Sequence, residues 1–313
     1  MGVMPIRQPP DDTIDAHVIF DRRLLTQRRE RVCADAGRHD FLLARACEDI
    51  CDRLSMVQRR FEKAAVLGAH HGLLGRCVRT LPNVGCAVET DSAPGMLRQC
   101  DGPRVLADEE LLPFADGSLD LVISALSLQF VNDLPGVLAQ VRRVLKADGL
   151  FLAAMLGGTT LAELREAFLV AESEVEGGAS PRVAPLLDVR EGGALLQRAG
   201  FALPVADCDT VGVTYATALD LMRDVKGMGA SNMLLARRRA PLRRSTLLRA
   251  MEVYSERFGA ADGRVRATFE IITLTGWVPH ESQQKPLKPG SARSRLADAL
   301  RVPERSAGDK TEG

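Results

Sequence analysis

The chain lacks a surplus of charge of either sign: 41 basic residues stand against 41 acidic ones in 313. With no net field to draw a polyanion or an anionic bilayer, nucleic acid and membrane surfaces are not expected partners. It also lacks any apolar run near the roughly 20 residues that cross a bilayer, so no transmembrane segment is expected. Its first residues carry Asp11, Asp12 and Asp15 and no hydrophobic stretch. Neither a secretory nor a transit peptide is therefore expected, and the cytoplasm is the expected compartment. Cysteine pairs are missing too. Cys33, Cys47, Cys51, Cys77, Cys86, Cys100 and Cys208 are odd in number and scattered, the pattern of free thiols in a reducing compartment. Cys47 and Cys51 lie one helical turn apart, but no nearby cysteine or histidine completes a set of ligands, so no metal is expected. There is no internal repeat. What is there is ordinary globular composition, 46% hydrophobic and 26% charged, with length enough for a sizeable core.

The chain is organised around residues 64–91. Ala64-Ala65-Val66-Leu67 is a short apolar run of the kind buried on both faces of a parallel sheet. Gly68-Ala69-His70-His71-Gly72 follows as a turn, Leu73 to Val78 as a short helix, and Val84 to Val88 as the next strand, with Asp91 just past its end. In a doubly wound sheet such a unit holds a nucleotide-like ligand: glycines admit the backbone, a helix N-terminus faces polar groups, and the acid takes ribose hydroxyls.

Apolar spacing predicts a helix over Phe41 to Val57 that packs on the sheet. Before it, Val18 to Arg23 leads into a basic helical stretch with Arg22, Arg23, Arg28, Arg29 and Arg31, read as a solvated face. Arg104 to Ala107 reads as a third strand ending on Asp108, Leu119 to Leu126 as a fourth and Leu150 to Leu156 as a fifth. Between the last two, Asn132 or Asp133 caps a helix entered through Pro135. Five strands alternating with helices predict an α/β fold with a doubly wound, mostly parallel sheet. Further on, Thr160 and Glu163 read as a capping box. Phe201 to Val205 and Thr210 to Tyr215 read as strands parted by an acidic turn, with helices over 217–226 and 245–258 and a last strand over Ala267 to Thr275. The expected organisation is an N-terminal arm and leading helix over 1–40, a ligand-binding core over 41–156, a C-terminal part over 157–300 that completes the sheet and covers the site, and a disordered tail over 301–313.

Three features fall at the carboxyl ends of successive strands, the edge where open α/β sheets bind ligands: the Gly68–Gly72 turn, Asp91 and Asp108. The loop after the fourth strand supplies the catalytic candidates Ser127, Gln129, Asn132 and Asp133. Tyr215 and His280 are candidate bases. The arginines 237–239, 243 and 244 and the acids Glu172, Glu174 and Glu176 read as solvated faces or as docking surfaces for a partner chain.

This order of turn, acid and acid resembles that of class I S-adenosylmethionine-dependent methyltransferases. Ile19-Phe20-Asp21-Arg22, the stretch from Ala107 to Phe114, the stretch from Leu126 to Pro135, Gly157 to Leu161 and Gly276 to Gln283 are similar to one subgroup. It is the complex I assembly factor 5 family of mitochondria and its bacterial relatives, itself similar to the malonyl-carrier-protein O-methyltransferases. The resemblance implies a seven-stranded Rossmann-like sheet and S-adenosylmethionine as cofactor, lined by Gly68, His70, Gly72, Asp91, Asp108 and Leu126. Asp91 would take the ribose hydroxyls and Asp108 the adenine amino group. It also implies a protein substrate, a subunit of respiratory complex I, on which the mitochondrial member is associated with arginine hydroxylation. A non-catalytic assembly factor and a carboxyl O-methyltransferase of a carrier-bound small acid are the alternatives. The chain departs from the methyltransferase pattern at Val66, where an acid is usual, and at His70, the place of the central glycine. It also has Gln129-Phe130 where the mitochondrial proteins carry histidine and tryptophan.

Overall fold

A computed structural model describes residues 18–284, 298 and 301–302. The loose arm expected over 1–16 and most of the tail expected over 301–313 lie outside the described residues. The chain divides into a main unit, 1–279, and a short second unit, 280–313.

The centre of the main unit is two adjacent parallel strands, buried on both faces except at Glu62 and Lys63. β1 (Phe61–Leu67) and β4 (Leu119–Ala125) are apolar runs whose side chains alternate between two buried faces. Ala64 and Val66 meet Ile50 and Leu54 of α2 (Phe41–Met56) on one face. Ala65 and Leu67 meet Val137 and Val141 of α5 (Leu134–Val144) on the other. α3 (Leu73–Val78) crosses from β1 to β2 (Val84–Asp91), which pairs with it in parallel register, Ala64 opposite Ala87. The four-residue α4 (Pro94–Leu97) leads to the short edge strand β3 (Arg104–Leu106). β5 (Leu145–Leu156) lies on the far side of β4.

Beyond β5 the chain continues through α6 (Ala162–Glu176), α7 (Val189–Arg198), β6 (Ala202–Tyr215), α8 (Ala218–Gly227), α9 (Arg244–Phe258) and β7 (Val265–Trp277). The sheet order is β3-β2-β1-β4-β5-β7-β6, with β7 antiparallel to both neighbours. The expected mostly parallel, doubly wound, seven-stranded sheet is therefore present. Its topological switch falls between β1 and β4, where the chain leaves one side of the sheet for the other.

Several local expectations give way to longer-range pairing. Residues 202–215 form one strand, not two, because the acids expected to turn the chain point outward from an edge: Asp207 bonds Arg53 at 2.7 and 2.8 Å, and Asp209 bonds Arg45. Thr160 and Glu163 make no capping box. Thr160 Oγ1 donates to the Glu270 carbonyl and Glu163 accepts from Thr268, tying the start of α6 to β7, while Leu161 takes a left-handed φ of 56°. A reciprocal capping box stands instead at Asp188 and Glu191 on α7. Cys51 and Cys77, expected as free thiols, are joined by a disulfide between α2 and α3. The acids of α6 are no open face either: Glu172 is buried against Arg182 and Ser180, Glu174 bonds Arg249, and Glu176 meets Arg238 and Thr246. Among the described residues no helix is long and apolar enough to cross a membrane.

Candidate active site

The carboxyl ends of β1, β2 and β4 open onto one crevice. The turn leaving β1 takes left-handed φ at alternate positions, 65° at Gly68, 50° at His70 and 81° at Gly72. Glycine does this freely. An L-residue such as His70 does it at a cost of about 1–2 kcal/mol. The conformation points the His70 N–H at Asp91 Oδ2, 3.0 Å away. The imidazole turns to the end of β4, its Nε2 3.1 Å from the Ala125 carbonyl. Burial, and then the charge of Arg29, push it down to about 3. The ring is therefore neutral near pH 7, and Nε2 carries the proton donated to Ala125. Gly68 has no room for a side chain: a Cβ there would run into Ser127.

Asp91, the last residue of β2, is wholly buried and accepts from the N–H groups of His70 and Ala93, at 3.0 and 2.8 Å. Burial pushes its carboxyl up, opposed by Arg29 and reinforced by Glu109. Asp108 sits after β3, 41% exposed, and Glu109 beside it is buried. Burial would raise Glu109 as well, but Arg29, Arg22 and the Ser127 hydroxyl outweigh it and hold the carboxyl down to about 2.

These arginines correct the reading of the first helix as a solvated basic face. α1 (Arg22–Val32) starts on an Asp21 cap and lays Arg22, Leu25, Thr26 and Arg29 along one face, the spacing of successive helical turns. That face closes the crevice. Arg22 Nη2 lies 2.6 Å from Asp108 and also bonds Glu109. Thr26 donates to Ser92 at 3.0 Å. Arg29, 2% exposed, donates to Ser127 Oγ at 2.9 Å and lies 3.3 Å from Glu109 and 3.4 Å from Asp91. Its partners are 62 to 98 residues away in sequence, so no local pattern announces them. The discernible signal is the seven-residue interval between the two arginines.

The other sequence candidates divide. Ser127 joins the Arg29–Glu109 cluster, donating to Glu109 Oε1. Gln129 is buried beside the crevice, its amide donating to the Leu126 carbonyl at 2.9 Å. Leu126, at φ 49°, is held by Ala154 and lines the same space. Asn132 is drawn away: its Oδ1 accepts from Ile19 and Phe20 and pins the chain before α1. Asp133 caps α5 through Gly136 N–H at 2.8 Å. Tyr215 is no base, since burial and Asp224 push its phenol up and its hydroxyl donates to that carboxylate. His280 lies in the second unit, bonded to Ser282 at 2.7 Å. Among the described residues no three His, Cys, Asp or Glu side chains converge as metal ligands.

The acid set fits an adenosyl ligand in kind: one buried carboxylate at the end of β2, one partly exposed carboxylate past β3, and a turn whose backbone comes close. The cavity beside these acids, lined by Arg29, His70, Leu126 and Gln129, measures about 70 Å³ against the roughly 300 Å³ or more of small-molecule sites.

Residues 72–153 match the family described as a methyltransferase domain. Among solved structures, the chain shares the fold of the YcgJ protein from Bacillus subtilis, at TM-score 0.53 and 14% identity, over 75% of this chain and 99% of that one. In sequence it is 40% identical to the arginine-hydroxylase NDUFAF5 of Danio rerio, over 91% of this chain and 90% of the relative, and 40% identical to the human protein over 93% and 85%. The malonyl-[acyl-carrier protein] O-methyltransferase of Laribacter hongkongensis is 32% identical, over 83% and 91%. With that identity over nearly the whole of the zebrafish protein, the chain belongs to the NDUFAF5 family of methyltransferase-fold proteins.

Proposed function

We propose that this chain is an S-adenosylmethionine-dependent, methyltransferase-like enzyme of the cytoplasm that modifies a protein substrate, a subunit of respiratory complex I, during its assembly. The observation that carries the reading is Asp91, buried at the switch point and held by two backbone N–H groups, where ribose hydroxyls need a fixed acceptor. Asp108 would take the adenine amino group, the Gly68–Gly72 turn would run beneath the methionine part, and Leu126 would flank it. Arg29 would have to leave Asp91 for that ligand to enter. When bound, the cofactor supplies an electrophilic methyl group on sulfur. The chain's task is to align the acceptor and exclude water, and α1 already covers the crevice.

The relatives differ in what they act on, an arginine in one case and a carrier-bound malonyl group in another. The protein substrate is favoured by the higher identity of the former. A second reading, a non-catalytic assembly factor, is favoured by Arg29 and Arg22, which pair with Asp91 and Asp108, the carboxylates the cofactor would use. Isothermal titration with S-adenosylmethionine and S-adenosylhomocysteine separates the two. Saturable heats lost in Asp91→Ala support the enzyme, and heats of dilution at millimolar ligand support the binding module.

A further inference from the structure

The inner face of α1 is spent on the crevice, where Arg22 and Arg29 are taken up by Asp108, Glu109 and Asp91. Its outer face is not. Arg28, partly buried, and Arg31, exposed, make no ion pair among the described residues. Three residues apart on a helix, their side chains are neighbours, and like charges so placed repel. Arg237 joins them from the segment over 233–237. That segment runs antiparallel to the chain before α1, with Leu234 opposite Phe20. Asp21 N–H donates to the Met233 carbonyl at 2.8 Å, and Leu235 N–H to the Ile19 carbonyl at 2.9 Å. Arg237 is then fixed by its Nη1, which donates to the Leu234 carbonyl at 2.8 Å, and by Asp21, 3.3 Å from its Nη2.

The cluster is short of counter-charge. Burial, then Arg237 and Arg31, push the Arg28 guanidinium below the usual arginine value, with Asp21 opposing them. Asp21 is already shared, since it accepts from Leu24 N–H as the helix cap and pairs with Arg237. The other acid of the helix, Glu30, is engaged by Gly95 N–H and Arg98. Independently, Arg28 Nη1 is buried with no hydrogen-bond partner. A guanidinium desolvated, crowded by two others and lacking an acceptor is unsatisfied until an oxyanion reaches it.

A long polyanion fits this cluster poorly, because the chain carries no net charge and Asp21 and Glu30 lie on the same helix. Arginine forks match single carboxylates, and the three stand on the outside of the helix whose inside closes the crevice. We infer that Arg28, Arg31 and Arg237 form a docking surface for a short acidic segment of a protein partner. The inference rests on the reading that the chain meets a protein partner, which the enzyme and the assembly factor share, and does not depend on cofactor binding.

Fluorescein-labelled hexaglutamate, titrated into the full chain at pH 7.5 without S-adenosylmethionine and followed by anisotropy, tests it. The peptide is expected to bind saturably at low salt and more weakly as salt screens the contact. Arg28→Gln with Arg31→Gln should weaken binding at least tenfold. Arg190→Gln with Arg198→Gln, which removes the same charge from exposed positions of α7, should weaken it less than twofold. Arg31→Gln alone, at an exposed position, should cost at least threefold and serves if the double variant does not fold. No peptide binding, equal losses in the α1 and α7 pairs, or tighter binding of single-stranded DNA or phosphatidylglycerol vesicles than of the peptide would overturn the assignment. The arms are separable. Peptide binding while S-adenosylmethionine gives no heat sinks the methyl-donor reading alone, and the reverse sinks the docking surface alone.

Discussion

Replacing Arg29 by Met keeps the length of the side chain and removes the charge on which the crevice turns. Arg29 lies 3.4 Å from Asp91, 3.3 Å from Glu109 and 2.9 Å from Ser127, and both acids are 1% exposed or less. Taking away one partner of a buried pair leaves the other charge uncompensated, at about 3–5 kcal/mol. At about 2–4 °C per kcal/mol this is a drop of roughly 6–20 °C in Tm. The pH dependence follows from Asp91, whose carboxyl burial already pushes up. Without Arg29 it rises further above its unfolded value, so the folded variant binds a proton that the unfolded chain does not. The deficit is therefore largest at pH 7.5 and shrinks as the pH falls towards 5. Calorimetry of wild type and variant at both pH values measures it. With Asp91 vacated, S-adenosylmethionine should also bind the variant more tightly than wild type. A Tm unchanged within 2 °C, or a deficit that grows on acidification, would refute the network.

The remaining predictions concern the turn and the thiols. His70, pushed down to about 3 by burial, stays neutral in the fold while the unfolded chain takes up a proton below about pH 6.5. Stability is thus fully present above that pH and falls as the pH drops through the window. His70→Asn, which tolerates the left-handed φ, should lose about 1–2 kcal/mol less than wild type between pH 7 and 5, read from urea midpoints. Gly68→Ala forces a Cβ into Ser127 at a φ of 65° and should destabilise by more than about 2 kcal/mol; a change under 0.5 kcal/mol would contradict the close approach. Thiol titration of the denatured, unreduced chain should count five free cysteines, where seven would contradict the Cys51–Cys77 bond.

What the sequence made legible was what local pattern and order determine. The runs that became β1, β4 and β5, the acid at 91 and the acid at 108 all stand where short apolar runs buried on both faces of a sheet and the rule of carboxyl ends put them. The misreadings share one cause, a charged or polar group whose partner is distant. Asp207 and Asp209 resemble turn residues until Arg53 and Arg45 of α2 meet them across an edge strand. Thr160 and Glu163 fit a capping box, but β7 claims both side chains. In the candidate site the same holds for Arg22 and Arg29, solvated by every local criterion and buried by acids that β2 and the loop after β3 bring to them.

The most direct test is a calorimetric comparison of wild type, Asp91→Ala and Arg29→Met, each titrated with S-adenosylmethionine. If the crevice is a cofactor site partly shut by its own helix, wild type gives a saturable isotherm, the acid variant loses at least tenfold in affinity, and the arginine variant gains. Indistinguishable isotherms for wild type and Asp91→Ala, or none from any of the three proteins, would contradict it.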